Sequence, residues 1–262
     1  MPVLPAHTLR RLRAAAATCL LLAGTSAPAA AAAVAVRFPE GAAHGFLALR
    51  TKDGQDVAAG ELVQTPRGDR VESRLIFRFK DGSLFDETVV FTQTKVFTLL
   101  SYRALQRGPA FPEPSEVFFD RASGRYKAKV GQESVEGKIE LPPDVYNGMM
   151  GMVLRNVAPA KTAGGQLLTF TPTPRFLKIV ATVEGEDQFF VGDEARKATR
   201  YFVKFDLGWA TGIFAKIMGK DVPNVRYWIS TVAAPGFVKF EGAMFVNGPV
   251  WRIELTGPRW SK

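Results

Sequence analysis

Apolar and polar side chains alternate along most of this chain, as they do in β-strands that bury one face and expose the other. In the segment RVESRLIFRFK, Val71, Phe77 and Phe79 share one side of the strand, and charged side chains occupy most of the other side. Asp81-Gly82 follows at once and is a strong hairpin signal. The segment SLFDETVVF then predicts the returning strand of that hairpin.

The same alternation recurs towards the end of the chain, in RYKAKV, SVEGKIEL, FLKIVATV, TRYFVKFDL, VRYWISTV, GFVKFEG and VWRIEL. Short turn-forming stretches such as Asp53-Gly54 and Ser123-Gly124 separate the predicted strands. Because parallel strands need crossover connections of roughly a dozen or more residues, the short turns predict an antiparallel meander. We therefore expect a mainly β fold: a large antiparallel meander curled into a barrel or half-barrel and covered by one or two short helices. A sandwich of two sheets also satisfies the pattern.

Residues 1–33 differ from the rest of the chain and predict a secretory signal peptide. Three arginines between positions 10 and 13 precede the apolar run AAAATCLLLAG, which is too short to span a bilayer. The small residues of APAAAAA follow, as a signal-peptidase site requires. We expect cleavage near Ala29 or Ala33, export to the periplasm or cell envelope, and a single β-rich domain formed by residues 34–262.

Cysteine and histidine are nearly absent, which excludes most catalytic and metal sites that a sequence can reveal. The only cysteine, Cys19, and one of the two histidines, His7, fall within the predicted signal peptide. A zinc site or a Ser-His-Asp triad would therefore depend on His44 alone. The sequence contains no Gly-x-Ser-x-Gly, His-Glu-x-x-His or phosphate-loop motif. We expect no catalytic residues, no metal and no cofactor.

The charge balance bears on the partners of the protein. The chain carries a net charge of +9, and three of its basic residues lie in the predicted signal peptide. The remaining surplus is modest and typical of a solvated surface. Export makes nucleic acid an unexpected partner, whereas anionic lipid head groups and cell-wall polymers, and with them peripheral membrane contact, remain open.

A methionine-rich segment, PPDVYNGMMGMVLRNV, has helical periodicity and predicts a covering helix near residues 144–157. Asp144 suits the first helical turn, and Pro159 prevents continuation of the helix. The segment either plugs the open side of the sheet as ordinary core or lines a cavity with flexible thioethers. Its candidate ligand-binding side chains are Tyr146, Met149, Met150 and Met152.

A second apolar segment, GWATGIFAKIMGK, interrupts the predicted strands in the last third of the chain. Its candidate ligand-binding side chains are Trp209, Phe214 and Met218. Two interpretations stay open: a lid or lip that touches a membrane, and a covering helix or wide loop that packs on the sheet.

Glu87 interrupts the apolar face formed by Phe85, Val89 and Phe91. A carboxyl group buried there would have a raised pKa and would suit acid–base chemistry, alone or with Asp86. We favour a β-bulge that turns Glu87 outward, because no second catalytic group stands near it in the sequence.

The order of these elements resembles an uncharacterised family of exported bacterial proteins that carry a domain of unknown function. The phrases that carry the resemblance are LPPDVYNGMMGMVLRNV, RKATRYFVKF and YWISTVAAPGFVKFEG, and it covers most of residues 44–255. More distantly, the layout is similar to the periplasmic lipoprotein carriers and their outer-membrane receptor. That similarity implies a curved antiparallel sheet covered by helices around an apolar cavity, and a lipid- or acyl-binding function. It supplies no catalytic residues.

Taken together, these patterns predict an exported protein that binds or carries an apolar or amphipathic ligand under the covering helix. The alternative is an envelope assembly or structural factor that binds another protein through a sheet edge or an apolar surface loop. An enzyme is the least supported class, since no catalytic constellation is recognisable.

Overall fold

In a computed structural model, the described residues are 33–157, 162–170, 173–206, 224–231 and 235–260, and they belong to one compact unit. Residues 1–32 of the predicted signal peptide and the segment GWATGIFAKIMGK lie outside them. The first eight strands are β1 (Ala43–Thr51), β2 (Asp56–Arg67), β3 (Arg70–Phe79), β4 (Leu84–Thr92), β5 (Thr98–Arg107), β6 (Ser115–Asp120), β7 (Arg125–Val130) and β8 (Glu133–Lys138). One helix, α1 (Met150–Asn156), follows. The remaining strands are β9 (Ala163–Phe170), β10 (Pro174–Val191), β11 (Glu194–Asp206), β12 (Val225–Ser230), β13 (Phe237–Gly242), β14 (Trp251–Leu255) and β15 (Arg259–Trp260).

All of these strands join one antiparallel sheet, which confirms the predicted fold class. The hydrogen-bonded order is β10-β11-β12-β13-β14-β1-β2-β3-β4-β5-β6-β7-β8, and both β9 and β15 pair with β10. Most neighbours in the sheet are also neighbours in sequence, as short turns require. The exceptions are the pairing of β15 with β10 and the pairing of β14 with β1, which joins strands near the two ends of the described chain.

The β3–β4 hairpin shows how local sequence sets the register. Phe77 lies opposite Phe85, and both side chains are buried. Gly82 has a φ of +85°, which residues with a Cβ rarely adopt, and its N–H donates to the carbonyl of Phe79 at 3.1 Å. Val71 and Phe79 are buried on the same face as Phe77. The alternation in RVESRLIFRFK therefore predicted the inner face correctly.

The sheet curls until strands from opposite ends of its order meet across the core. The rings of Tyr126 in β7 and Phe170 in β9 lie 5.6 Å apart. The rings of Phe79 in β3 and Trp251 in β14, strands three positions apart in the middle of that order, also meet and lie 5.4 Å apart. Among the described residues, no strand pairing joins β8 to β9. The sheet is therefore curled but open.

The connection between β8 and β9 bridges this opening. The guanidinium of Arg121 donates to the carbonyl oxygens of Leu99, Leu141 and Pro142 at 2.6, 2.6 and 2.8 Å. Further along the connection, Val145 forms a parallel bridge with Gln166 of β9. Hydrogen bonds thus fix the connection at both sides of the opening.

The covering helix is shorter than the predicted span of residues 144–157. Asp144 does not cap a helix, because its side chain and carbonyl both accept hydrogen bonds from Gln166. A turn follows in which the Met149 N–H donates to the Tyr146 carbonyl at 2.9 Å, and Gly148 has a φ of +67°. This pattern is a type II turn, whose third residue requires a positive φ. The helix begins only after that turn.

Asn156 fixes α1 to the segment that precedes β1. Its Oδ1 accepts hydrogen bonds from the N–H groups of Arg37 and Phe38, both at 2.7 Å. Its Nδ2 donates to the carbonyl of Met152 at 2.9 Å. Within the part of the chain that the structure describes, no helix is long and apolar enough to cross a membrane.

Candidate ligand cavity

A cavity of about 490 Å³ lies between α1 and the concave face of the sheet. Strands β1–β5 and β9–β14 contribute its walls, and the turn before α1 and the helix itself contribute its roof. Apolar side chains dominate the lining, among them Leu47, Leu62, Leu75, Phe85, Leu167, Phe205, Phe237 and Leu255. Ala43 and His44 are exposed and also line the cavity, so they mark its mouth.

A carboxyl group lies on this apolar wall. Glu87 lines the cavity, and it stands on the same face of β4 as the buried Phe85, Val89 and Phe91. The interpretation that a bulge turns Glu87 outward is therefore wrong. The register of β4 against β5 does shift, but only between Val90 and Phe91, beyond Glu87.

Two tyrosines accompany Glu87 inside the cavity. The Tyr102 hydroxyl, from β5, donates a hydrogen bond to Glu87 Oε1 at 2.7 Å. Tyr227, from β12, lines the same cavity and packs edge-on against Phe240. Glu87, Tyr102 and Tyr227 are named here the polar triplet. The neighbouring strands β4 and β5 supply Glu87 and Tyr102, and the distant strand β12 supplies Tyr227.

Burial controls the ionisation of the polar triplet. Desolvation raises the pKa of Glu87, although the hydrogen bond from Tyr102 opposes that rise. Desolvation also raises the pKa of Tyr102 and of Tyr227, and the negative charge of an ionised Glu87 would raise both further. Both phenols therefore stay protonated at neutral pH. The raised pKa of Glu87 favours its protonated form more than in a solvent-exposed glutamate.

The turn before α1 packs directly on Glu87. A Cβ at Gly148 would lie 2.5 Å from Val89 Cγ2 and 3.0 Å from Glu87 Oε2. Two independent features therefore require glycine at this position: the positive φ and the lack of space for a Cβ.

A buried ion pair stands at the edge of the cavity. Arg155 from α1 donates to Glu40, and the Glu40 backbone also bonds the Gln93 side chain. Burial raises the pKa of Glu40, and the attraction of Arg155 only partly offsets this effect. At the mouth, His44 Nε2 lies 2.7 Å from Glu61 Oε1. Because Arg155 is already paired, it is not available as a free counter-ion for Glu87.

The structure divides the predicted ligand-binding residues into three groups. Met150 and Met152 line the cavity. Tyr146 and Met149 are fully buried and do not line it. The Tyr146 hydroxyl instead accepts a hydrogen bond from the Val34 N–H at 2.9 Å. Trp209, Phe214 and Met218 lie outside the described residues.

The site contains residues that the sequence did not single out, above all Tyr102, Tyr227 and Arg155. Their hydroxyl and guanidinium groups reach the cavity from elements far apart in the chain, which no local pattern reports. Among the described residues, no group of three or more His, Cys, Asp or Glu side chains is placed to hold a metal ion. Chemically, the arrangement offers an apolar volume with hydrogen-bond donors and acceptors on one wall.

The described residues thus define a curled, open antiparallel sheet with an internal cavity of small-molecule size, roofed by a short helix. No family model matches the chain, and no curated protein sequence matches it. Among solved structures, the chain is similar to a β-barrel-like protein of the domain of unknown function DUF1849 from Brucella abortus. The two share 11% sequence identity with a TM-score of 0.41, and the similarity covers 89% of this chain and 100% of that chain.

Proposed function

We propose that this protein is exported to the cell envelope and there binds or carries an apolar or amphipathic ligand in the cavity beneath α1. One observation carries the proposal: the inner face of the sheet leaves about 490 Å³ unfilled, within the range of about 300–1,000 Å³ typical of small-molecule sites. The basic, apolar and small-residue order of residues 1–33 supports export.

The lining favours a ligand with a long apolar part. Side chains such as Leu62, Leu75 and Phe205 offer only dispersion contacts and apolar surface. Each methylene transferred from water into such a lining contributes about 0.8 kcal/mol. The methionines Met150 and Met152 on the roof adapt their shape to a flexible chain.

Binding is better supported than catalysis. Glu87 is hydrogen-bonded to Tyr102, and among the described residues no histidine or second carboxylate bonds to it. The other proposed class, a protein that binds an envelope partner through a sheet edge, has weaker support. The edge strand β8 has only β7 as a partner in the described part of the chain, but it carries Glu133, Glu136 and Lys138. Charges on an edge strand discourage pairing with a further strand.

A chain-length series tests the proposal. Straight-chain alcohols of increasing length displace a bound apolar fluorophore, and the dissociation constant of each is measured. We expect each added methylene to tighten binding about fourfold, the equivalent of about 0.8 kcal/mol, until the cavity is full. Beyond that length the affinity reaches a plateau.

A pair of neighbouring variants supplies the control. Leu62 lines the cavity, whereas Val63 is exposed on the other face of β2. Leu62→Trp fills part of the cavity and should move the plateau to shorter alcohols, and Val63→Trp should leave the series unchanged. If affinity shows no dependence on chain length, or if both variants behave alike, the proposed function is wrong.

A further inference from the structure

Two polar atoms of the polar triplet border the cavity without a hydrogen-bond partner in the described part of the chain. Glu87 Oε1 accepts the hydrogen bond of Tyr102, but Glu87 Oε2 and the Tyr227 hydroxyl have no hydrogen-bond partner among the described residues. Among the described residues, the fully buried side-chain atoms that lack a hydrogen-bond partner are Arg155 Nε, Arg196 Nε and Trp260 Nε1. Glu87 Oε2 and the Tyr227 hydroxyl are not among them, so neither atom is fully buried. Both residues line the cavity instead. A polar group that faces an apolar cavity unpaired is unfavourable until something bonds to it.

We propose that Glu87, Tyr102 and Tyr227 form a subsite for the uncharged, hydrogen-bonding head group of an amphiphile, such as a long-chain alcohol, ester or amide. The inference rests on the proposed function, because the tail of the same molecule occupies the apolar part of the cavity. Oε2 of the protonated carboxyl group donates to the head group, and the Tyr227 hydroxyl either donates or accepts.

The charges around the subsite favour a neutral head group. An anionic head would lie beside Glu87, and Arg155, the one Lys or Arg side chain among the described residues that line the cavity, is already engaged by Glu40. A cationic head would have to lose its water and ionise Glu87 in an apolar site, where burial favours the neutral acid. A neutral head group meets neither cost.

A head-group series at constant chain length tests the subsite. Dodecanol, dodecanoate and dodecylammonium are compared at pH 7, and we expect dodecanol to bind about tenfold or more tightly than either ion, because burying an uncompensated charge is costly. The methyl ester of dodecanoic acid has a head group that only accepts hydrogen bonds, so its affinity should decrease as the pH rises through the pKa of Glu87, since the ionised carboxylate no longer donates. The other titratable groups that line the cavity are Glu40, His44, Tyr102, Arg155 and Tyr227.

Variants at Glu87 separate hydrogen bonding from charge. Glu87→Gln keeps a donor and an acceptor, so its affinity for dodecanol should stay within about twofold of that of the unchanged protein. The pH dependence of binding should disappear. Glu87→Leu should weaken dodecanol about five- to tenfold through the loss of the hydrogen bond. Tyr227→Phe tests the second unpartnered atom in the same way. Circular dichroism and melting curves confirm that each variant is folded.

Two results would overturn the subsite. In the first, dodecylammonium binds most tightly and Glu87→Gln abolishes that binding, which would make Glu87 an ionised counter-ion. In the second, all three head groups bind equally, and the Glu87 variants change nothing. If the chain-length dependence of the alcohols persists in either case, the cavity still binds the tail, so the proposed function stands and only the subsite fails.

Discussion

Substitutions in the turn before α1 test how closely this turn packs against the sheet. Gly148 has a φ of +67°, and a Cβ there would lie 2.5 Å from Val89 Cγ2. The left-handed conformation costs a residue with a Cβ about 1–2 kcal/mol, and forced overpacking costs about 1–3 kcal/mol more. We expect Gly148→Ala to lower the free energy of unfolding by about 2–5 kcal/mol.

Gly82 provides the matched control. Its φ is +85°, and an added Cβ would meet no atom within 4 Å. Gly82→Ala should therefore lower the free energy of unfolding by the cost of the left-handed conformation alone, about 1–2 kcal/mol. The difference between the two variants isolates the clash with the sheet.

Equilibrium urea unfolding with linear extrapolation measures both variants, and unchanged slopes show that the folded and unfolded states stay comparable. Adding Val89→Ala to Gly148→Ala removes the methyl group that a new Cβ would strike. The double variant should then be more stable than the sum of the single effects predicts, by about 1–3 kcal/mol. Equal losses in Gly148→Ala and Gly82→Ala, or additive effects in the cycle, would show that the turn does not press on the sheet.

Two further predictions concern the buried polar groups. Because burial raises the pKa of Glu87 above its ordinary value of 4.5, the folded protein holds a proton that the unfolded chain releases. Stability should decrease as the pH rises from the unfolded to the folded pKa, by up to about 1.4 kcal/mol per pH unit, and Glu87→Gln should remove this part of the slope in urea unfolding. Asn156→Ala leaves the N–H groups of Arg37 and Phe38 unbonded, so it should cost about 2–4 kcal/mol by the same assay. The exposed Asn224→Ala should change stability by less than about 0.5 kcal/mol, and an equal loss in both variants would contradict the role of Asn156.

The strands could be predicted because their signals are local. Alternation along RVESRLIFRFK and the Asp81-Gly82 turn fix one hairpin without reference to the rest of the chain. The degree of closure is not local. It depends on which residues meet across the curled sheet, such as Tyr126 and Phe170, which are distant in sequence.

The covering helix was predicted too long because tertiary pairing overrides its periodicity. Residues around Asp144 satisfy their backbone by bonding to Gln166 of β9, a partner that the periodic pattern does not contain. One local signal was present: Asn147-Gly148 is a turn-forming pair, and it marks the position where the chain turns before α1. A turn predicted from that pair would have placed the start of the helix after Gly148.

The cavity itself could not be predicted, since an inner face of large apolar residues is equally consistent with a solid core. Whether a void remains depends on side-chain volumes that meet from opposite walls, such as those of Leu62 and Phe205. Glu87 is different, because its place in the alternation with Phe85, Val89 and Phe91 already indicated an inward carboxyl group. The outward bulge was favoured because no second catalytic group stands near Glu87 in the sequence, whereas its partner hydroxyl comes from the neighbouring strand β5.

Glu87 also connects the stability of the fold to its proposed function. A carboxyl group on an apolar wall is a poor choice for packing alone, since an apolar side chain of similar size avoids the desolvation that raises its pKa. The hydrogen bond from Tyr102 offsets only part of that cost, because Oε2 keeps no partner among the described residues. The head group of the proposed ligand would supply a hydrogen bond at Oε2 and so offset a cost that the protein side chains leave in place. Under the proposed function, the carboxyl group that lowers the stability of the fold would also be the group that selects the ligand.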